Sequence, residues 1–165
     1  MTLTPKTVRI ADRYECQEDE IPRTLYRVQY DQSMSLRARA NPVFTSRAHF
    51  KSAVEDHLVW GNREPSPFVS TFAHRQHAMN WANSQCQRAE QVSLLELDAS
   101  QLDRIFSVRD LVNYRNVHTN LPESMYEDEY LVLGKIRRRS IVERTVVSPR
   151  YELEDLAQAF NGLAV

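Results

Sequence analysis

Glycine is scarce in this chain: of 165 residues, only Gly61, Gly134 and Gly162 lack a side chain. That excludes a glycine-rich phosphate loop and the glycine fingerprint of Rossmann dinucleotide sites, so any nucleotide must be held by side chains. Cysteine is equally sparse. Cys16 and Cys86 stand far apart, which excludes a disulfide framework and fits a reducing compartment; each is read as a small packing side chain. No Cys/His cluster has metal-ligand spacing, and His74 and His77, three apart, are read as surface residues rather than ligands. Net charge is missing too: 22 acidic against 21 basic side chains leave −1, so no global field draws the protein towards nucleic acid or an anionic membrane. No window approaches the roughly 18 apolar residues of a membrane span. The opening MTLTPKTVRIADRYECQEDEIP lacks the apolar stretch of a secretory signal, so a soluble, intracellular protein with no membrane partner is expected.

What remains is the composition of one ordinary globular domain. Residues 1–20 are polar enough for a partly ordered lead-in, and 21–165 are expected to form the single domain. TLYRVQY (24–30) reads as a strand, and SRAHFKSAVEDHLVW (46–60) as a helix capped by Ser46, with Phe50, Val54 and His57 or Leu58 inward and Gly61 ending it. FVSTF (68–72) is a short strand, followed by a helix from about Arg75 to Arg88 with Ala78, Trp81 and Ala82 inward. QVSLLELDA (91–99) alternates as a strand, and LDRIFSVRDLVNYR stays open between helix and loop. YLVLGKI and SIVERTVV are expected to pair antiparallel, and YELEDLAQAFNGLAV to form a closing helix with Leu153, Leu156, Ala157 and Phe160 on one face. This mixed order predicts the α+β class.

Three strands carry polar oddities: Arg27, then Ser70-Thr71, then Glu127 and Glu129 at the entrance of an apolar strand. Each has a bland reading as an edge or half-exposed residue. If the strand includes both glutamates, they share one face and repel, which requires that face to be wet or to meet a cation. Together, LYRV (25–28), FVSTF (68–72) and EDEYLVLGKIRRRSIV (127–142) resemble the Arg-Ser-Glu, cholera-toxin-like class of ADP-ribosyltransferases. In that class an Arg on the first strand, a Ser-Thr-Ser on a middle strand and a Glu-x-Glu before a late strand surround NAD. HLVWGNREPSPFVSTFAHRQHAMNWA (57–82), with LYRV before it and DEYL after it, also resembles an uncharacterised domain widespread in filamentous fungi, over roughly residues 23–143. That domain has the same Arg, Ser and Glu order and no known activity.

The resemblance implies mixed β-sheets around a central NAD cleft with flanking helices, and a mono-ADP-ribosyltransferase that uses NAD as substrate. Arg27 then forks onto phosphate or ribose oxygens, and Glu129 stabilises the oxocarbenium-like ribose as the nicotinamide bond breaks. Ser70 holds Glu129 in its productive rotamer. Glu127 orients or deprotonates the acceptor nucleophile, as in arginine-modifying relatives. Thr71 and Phe72 complete the cofactor-side motif: Thr71 points to the opposite face and reads as structural, and Phe72 replaces the family's second serine, either as core or against the nicotinamide. The loop HTNLPESMYED (118–128) takes the place of the family's substrate-recognition turn.

Rival readings keep the same residues. With water as acceptor the protein is an NAD glycohydrolase; with catalysis lost, it is a binding module of the same fold for a protein or other macromolecular partner. Arg137, Arg138 and Arg139 are expected at the exposed tip of the final hairpin rather than on nucleic acid. His57, Leu58 and Trp60 read as the packed end of a helix rather than a catalytic set, and Tyr26 and Trp81 as core.

Overall fold

A computed structural model describes residues 3–30, 35–59, 61–62 and 64–147. The expected helix at 151–165 and Trp60 lie outside the described residues. Helix α1 (Pro5–Ala11) begins at Thr4, whose hydroxyl accepts from the Thr7 amide at 3.2 Å, with proline at the first helical position. Ile10 and Ala11 are buried in the core, and the Thr7 hydroxyl accepts from the Phe44 amide at 3.1 Å. The first 20 residues are therefore in part packed structure, because α1 brings two apolar side chains to the core and ties its own polar group to the chain at Phe44.

Strand β1 (Thr24–Tyr30), helix α2 (Arg47–Leu58), strand β2 (Phe68–Phe72), helix α3 (Arg75–Gln85) and strand β3 (Val92–Asp98) follow, close to the predicted bounds. Ser46 caps α2 by accepting from the His49 amide, and Phe50, Val54 and Leu58 are its buried stripe. The ambiguous segment splits into strand β4 (Ile105–Ser107) and helix α4 (Val108–Tyr114), with Ser107 ending the strand and capping the helix. Strands β5 (Glu129–Leu133) and β6 (Ile141–Val147) complete an α+β fold.

The six strands form one antiparallel sheet in the order β4-β5-β2-β1-β3-β6. The expected β5–β6 hairpin does not form: β5 lies between β2 and β4, and β6 pairs with β3 beyond β1. Gly134, at φ +76, turns the chain out of β5, and residues 135–140 cross to the other half of the sheet. Arg137–Arg139 thus lie on a crossover, with Arg137 paired to Asp103 and Arg138 and Arg139 exposed.

The two halves of the sheet meet through a single residue pair, Tyr26 and Phe72, whereas β1–β3 and β2–β5 are registered along their lengths. Strands that pair once and then part leave backbone and side chains of both facing a common gap. Under the β2–β5 half, Phe44, Phe50, Phe68 and Phe106 interlock with ring centroids 5.0 to 6.1 Å apart, and Tyr14 stacks on Phe50. Each buried ring contributes about 1.5–3 kcal/mol relative to exposure. This cluster is the rigid floor of the site described next.

Candidate active site

On antiparallel strands directly opposite residues share a face, so the pairs Phe72–Glu129 and Ser70–Leu131 put Ser70, Phe72 and Glu129 on the face that carries Phe68. His57 rises from the last turn of α2 onto that face, edge-on to Phe68 at 5.9 Å. Its Nε2 lies 2.8 Å from the Ser70 hydroxyl and 3.9 Å from Glu129 Oε1, and its Nδ1 lies 2.6 Å from the Ser66 hydroxyl. From the far side of the gap, the Arg27 guanidinium donates to the Ser70 carbonyl at 3.1 Å. Arg27, Ser70 and Glu129, three residues dispersed over about a hundred positions of sequence, meet here, with His57 as a fourth member.

Burial sets the electrostatics. Glu129 is 8% exposed, and desolvation pushes its carboxyl up to about 7, against the smaller opposing effects of the Ser70 hydroxyl, His77 and Arg27. Desolvation, followed by repulsion from Arg27 and Arg39, brings the His57 imidazole down to about 4, so it is neutral at pH 7. Desolvation also lowers Arg27 to about 10, which leaves it charged. A neutral imidazole has one donor and one acceptor nitrogen, and the neighbours choose between them. With the Ser70 hydroxyl bonded to Glu129, Nδ1 is left as the acceptor: the Ser66 hydroxyl donates to it, while the Ser66 oxygen accepts from the Phe68 amide at 3.2 Å. His57 Nε2–H then donates to Ser70, which frees the Ser70 hydroxyl proton for Glu129. This one tautomer satisfies every member of the chain Ser66–His57–Ser70–Glu129.

Two sequence expectations need correction. Glu127 and Glu129 do not share a strand face: the amides of Glu127 and Glu129 bond back to the carbonyls of Glu123 and Tyr126, so a turn runs up to the strand and β5 begins at Glu129. Glu127 is exposed, and the residue between the two, Asp128, is buried. Thr71 lies on the opposite face, as its structural reading requires, and makes no cofactor-side contact among the described residues: it is fully buried, its hydroxyl donating to the Tyr130 carbonyl at 2.8 Å. His74 is exposed, as expected, but His77 is half-buried and engaged. Asp128 Oδ1 is 2.5 Å from His77 Nδ1, and Oδ2 accepts from the His74 amide at 2.9 Å.

That last bond explains how α3 starts. His74 stands at the N-cap without a side-chain capping bond, and its own backbone N–H, the first donor of the helix, is satisfied by Asp128, 54 residues away. Phe72 is half-buried and packs on the His77 ring at 4.7 Å. His57 is the residue that sequence reading missed: helical periodicity places it beside Leu58 at the edge of the apolar stripe, where a polar ring signals only packing. The nearby Ser66 and Ser70 were the available hint.

A family model described as "Domain of unknown function (DUF7587)" matches residues 20–149. The chain belongs to this family. A search of curated proteins finds no match for the DUF7587 chain. Among solved structures it is similar to a mutant heat-labile enterotoxin A subunit, with 19% identity, 75% of this chain and 67% of the other covered, and a TM-score of 0.50. It is similar also to EcPltA, with 15% identity, 81% of each chain covered and a TM-score of 0.53. The DUF7587 chain therefore has the ADP-ribosyltransferase-like fold of these toxins.

Proposed function

We propose that this chain binds NAD at the parted β1/β2 junction, cleaves the nicotinamide–ribose bond and transfers ADP-ribose to an acceptor. The observation that carries the reading is the meeting of a buried guanidinium, a hydroxyl and a desolvated carboxylate at one gap of this fold. The donor chemistry fits NAD. Arg27 offers a desolvated cation to pyrophosphate or ribose oxygens, and Glu129 offers a carboxylate to a ribose that becomes cationic as its bond to nicotinamide breaks.

A carboxyl near 7 is half ionised at neutral pH, and the cationic nicotinamide ring of an arriving NAD draws it towards the charged form. Its charge stabilises the oxocarbenium-like transition state more than the ground state, which is the condition for raising the rate. His57 acts by holding the Ser70 hydroxyl, and through it Glu129, in one orientation; the phenylalanine floor keeps the imidazole in place. Phe72 gives the site an aromatic wall on the Glu129 side.

The deciding experiment incubates the purified protein with NAD labelled in the ADP-ribose part, with and without a cell lysate. Label on macromolecules together with released nicotinamide is the expected result. Nicotinamide without transfer would make the protein a glycohydrolase, and neither product would leave a binding module of the same fold.

A further inference from the structure

We infer that His77, oriented by Asp128, is the base on the acceptor side of the site, and that the acceptor it serves is a neutral hydroxyl rather than a guanidinium. The inference rests on the NAD reading above. Its first support is the buried carboxylate at Asp128, 4% exposed, directly against His77 Nδ1 at 2.5 Å. A carboxylate in that position fixes Nδ1–H, leaves the lone pair on Nε2, and stabilises the imidazolium formed when Nε2 takes a proton. The His77 side chain is 29% exposed and no described residue bonds Nε2, so that nitrogen is open to a ligand. Position is the second support. His77 packs on Phe72, the strand partner of Glu129.

The third support is what stands where a second carboxylate was expected. A guanidinium acceptor stays charged and needs a carboxylate of its own to hold it, but Glu127 lies exposed on the turn and Asp128 is spent on His74 and His77. Across Phe72 from Glu129 stands the His77 imidazole, suited to a neutral nucleophile whose proton must leave as it attacks.

In the step proposed, a bond forms between the acceptor oxygen and the ribose anomeric carbon as the bond from that carbon to nicotinamide breaks. The bonding pair leaves with nicotinamide and neutralises its ring, and the hydroxyl proton passes to His77 Nε2 and then to water.

The test uses the full chain with NAD in water containing methanol as hydroxyl probe, and separately with agmatine as alkylguanidine probe. Nicotinamide, ADP-ribose, the methyl riboside and any agmatine adduct are quantified. The methyl riboside should form and the agmatine adduct should not. His77→Asn keeps an N–H donor for Asp128 and removes the basic nitrogen; it should lower kcat for methanolysis by about a hundredfold while KM for NAD stays within about twofold. His77→Ala should fall equally and recover when imidazole is added, a response that a purely structural histidine does not give. An agmatine adduct, a His77→Asn protein with parental kcat, or a folded His77→Ala protein that imidazole does not rescue overturns the inference while NAD cleavage stands. If the parental protein releases no nicotinamide, the NAD reading and this inference fall together.

Discussion

Replacing Glu129 by Gln separates the carboxylate's contribution to rate from its cost to the fold. The amide keeps the size and one acceptor oxygen for Ser70 but removes the charge. Loss of a preorganised charge from the transition state costs on the order of 3–4 kcal/mol, a rate reduction of about a hundred- to a thousandfold. Stability moves the other way. The folded carboxyl lies near 7 against an ordinary value of 4.5, so the folded state holds the proton more tightly than the unfolded chain. Stability from this group is full below pH 4.5 and declines as pH rises through 7. The gap, at about 1.36 kcal/mol per pH unit, amounts to about 3 kcal/mol of destabilisation at pH 8, which Glu129→Gln relieves. At about 2–4 °C per kcal/mol for a chain of this size, Tm at pH 8 should rise by several degrees, and at pH 4 it should hardly change. Nicotinamide release and thermal unfolding at the two pH values read both effects. Parental turnover in the variant would show that the carboxylate takes no part in the reaction; an unchanged Tm at pH 8 would show that it is not desolvated.

Three further outcomes follow from the same geometry. The acidic limb of kcat/KM should rise about tenfold per pH unit up to about 7 and level off above 8, since Glu129 must be ionised, and Glu129→Gln should lack this limb in a stopped-assay pH series. Arg27→Lys should weaken NAD binding in a titration and lower stability by about 1–3 kcal/mol, because an ammonium does not reproduce the fork that serves ligand and Ser70 carbonyl together. His57→Phe keeps the ring against Phe68 but removes both hydroxyl bonds; kcat should fall about tenfold with little change in KM, as expected for a positioning residue that holds Ser70.

The local signals in this chain were strong where one side chain or one stripe decides the structure. Ser46 with the Phe50–Val54–Leu58 stripe specified α2, the β-branched and aromatic run of TLYRVQY specified β1, and FVSTF matched β2 residue for residue. The positions of Arg27, Ser70 and Glu129 were likewise legible as polar residues in apolar strands. Strand partners were not. Proximity in sequence favours a β5–β6 hairpin, but β5 buries Leu131 and Leu133 against the phenylalanine cluster and β6 completes the sheet at β3, so the long-range burial prevails. Glu127 illustrates the same limit: an alternating pattern assumes where the strand begins, and the backbone bonds of the preceding turn move that start to Glu129.

By itself, the sequence determined most of the elements from β1 onward, the α+β class and the chemical types present at the site, because these depend on propensity, capping and periodicity over a few residues. Only the tertiary structure decided the neighbours. His57 enters the site because α2 packs its last turn over β2, Asp128 turns from an acidic letter between two glutamates into the acceptor for the first amide of α3 and the partner of His77, and burial, with the Asp128 charge nearby, raises Glu129 to about 7. Each of these depends on which groups the fold removes from water together, a property of the packed chain that no short stretch of residues contains.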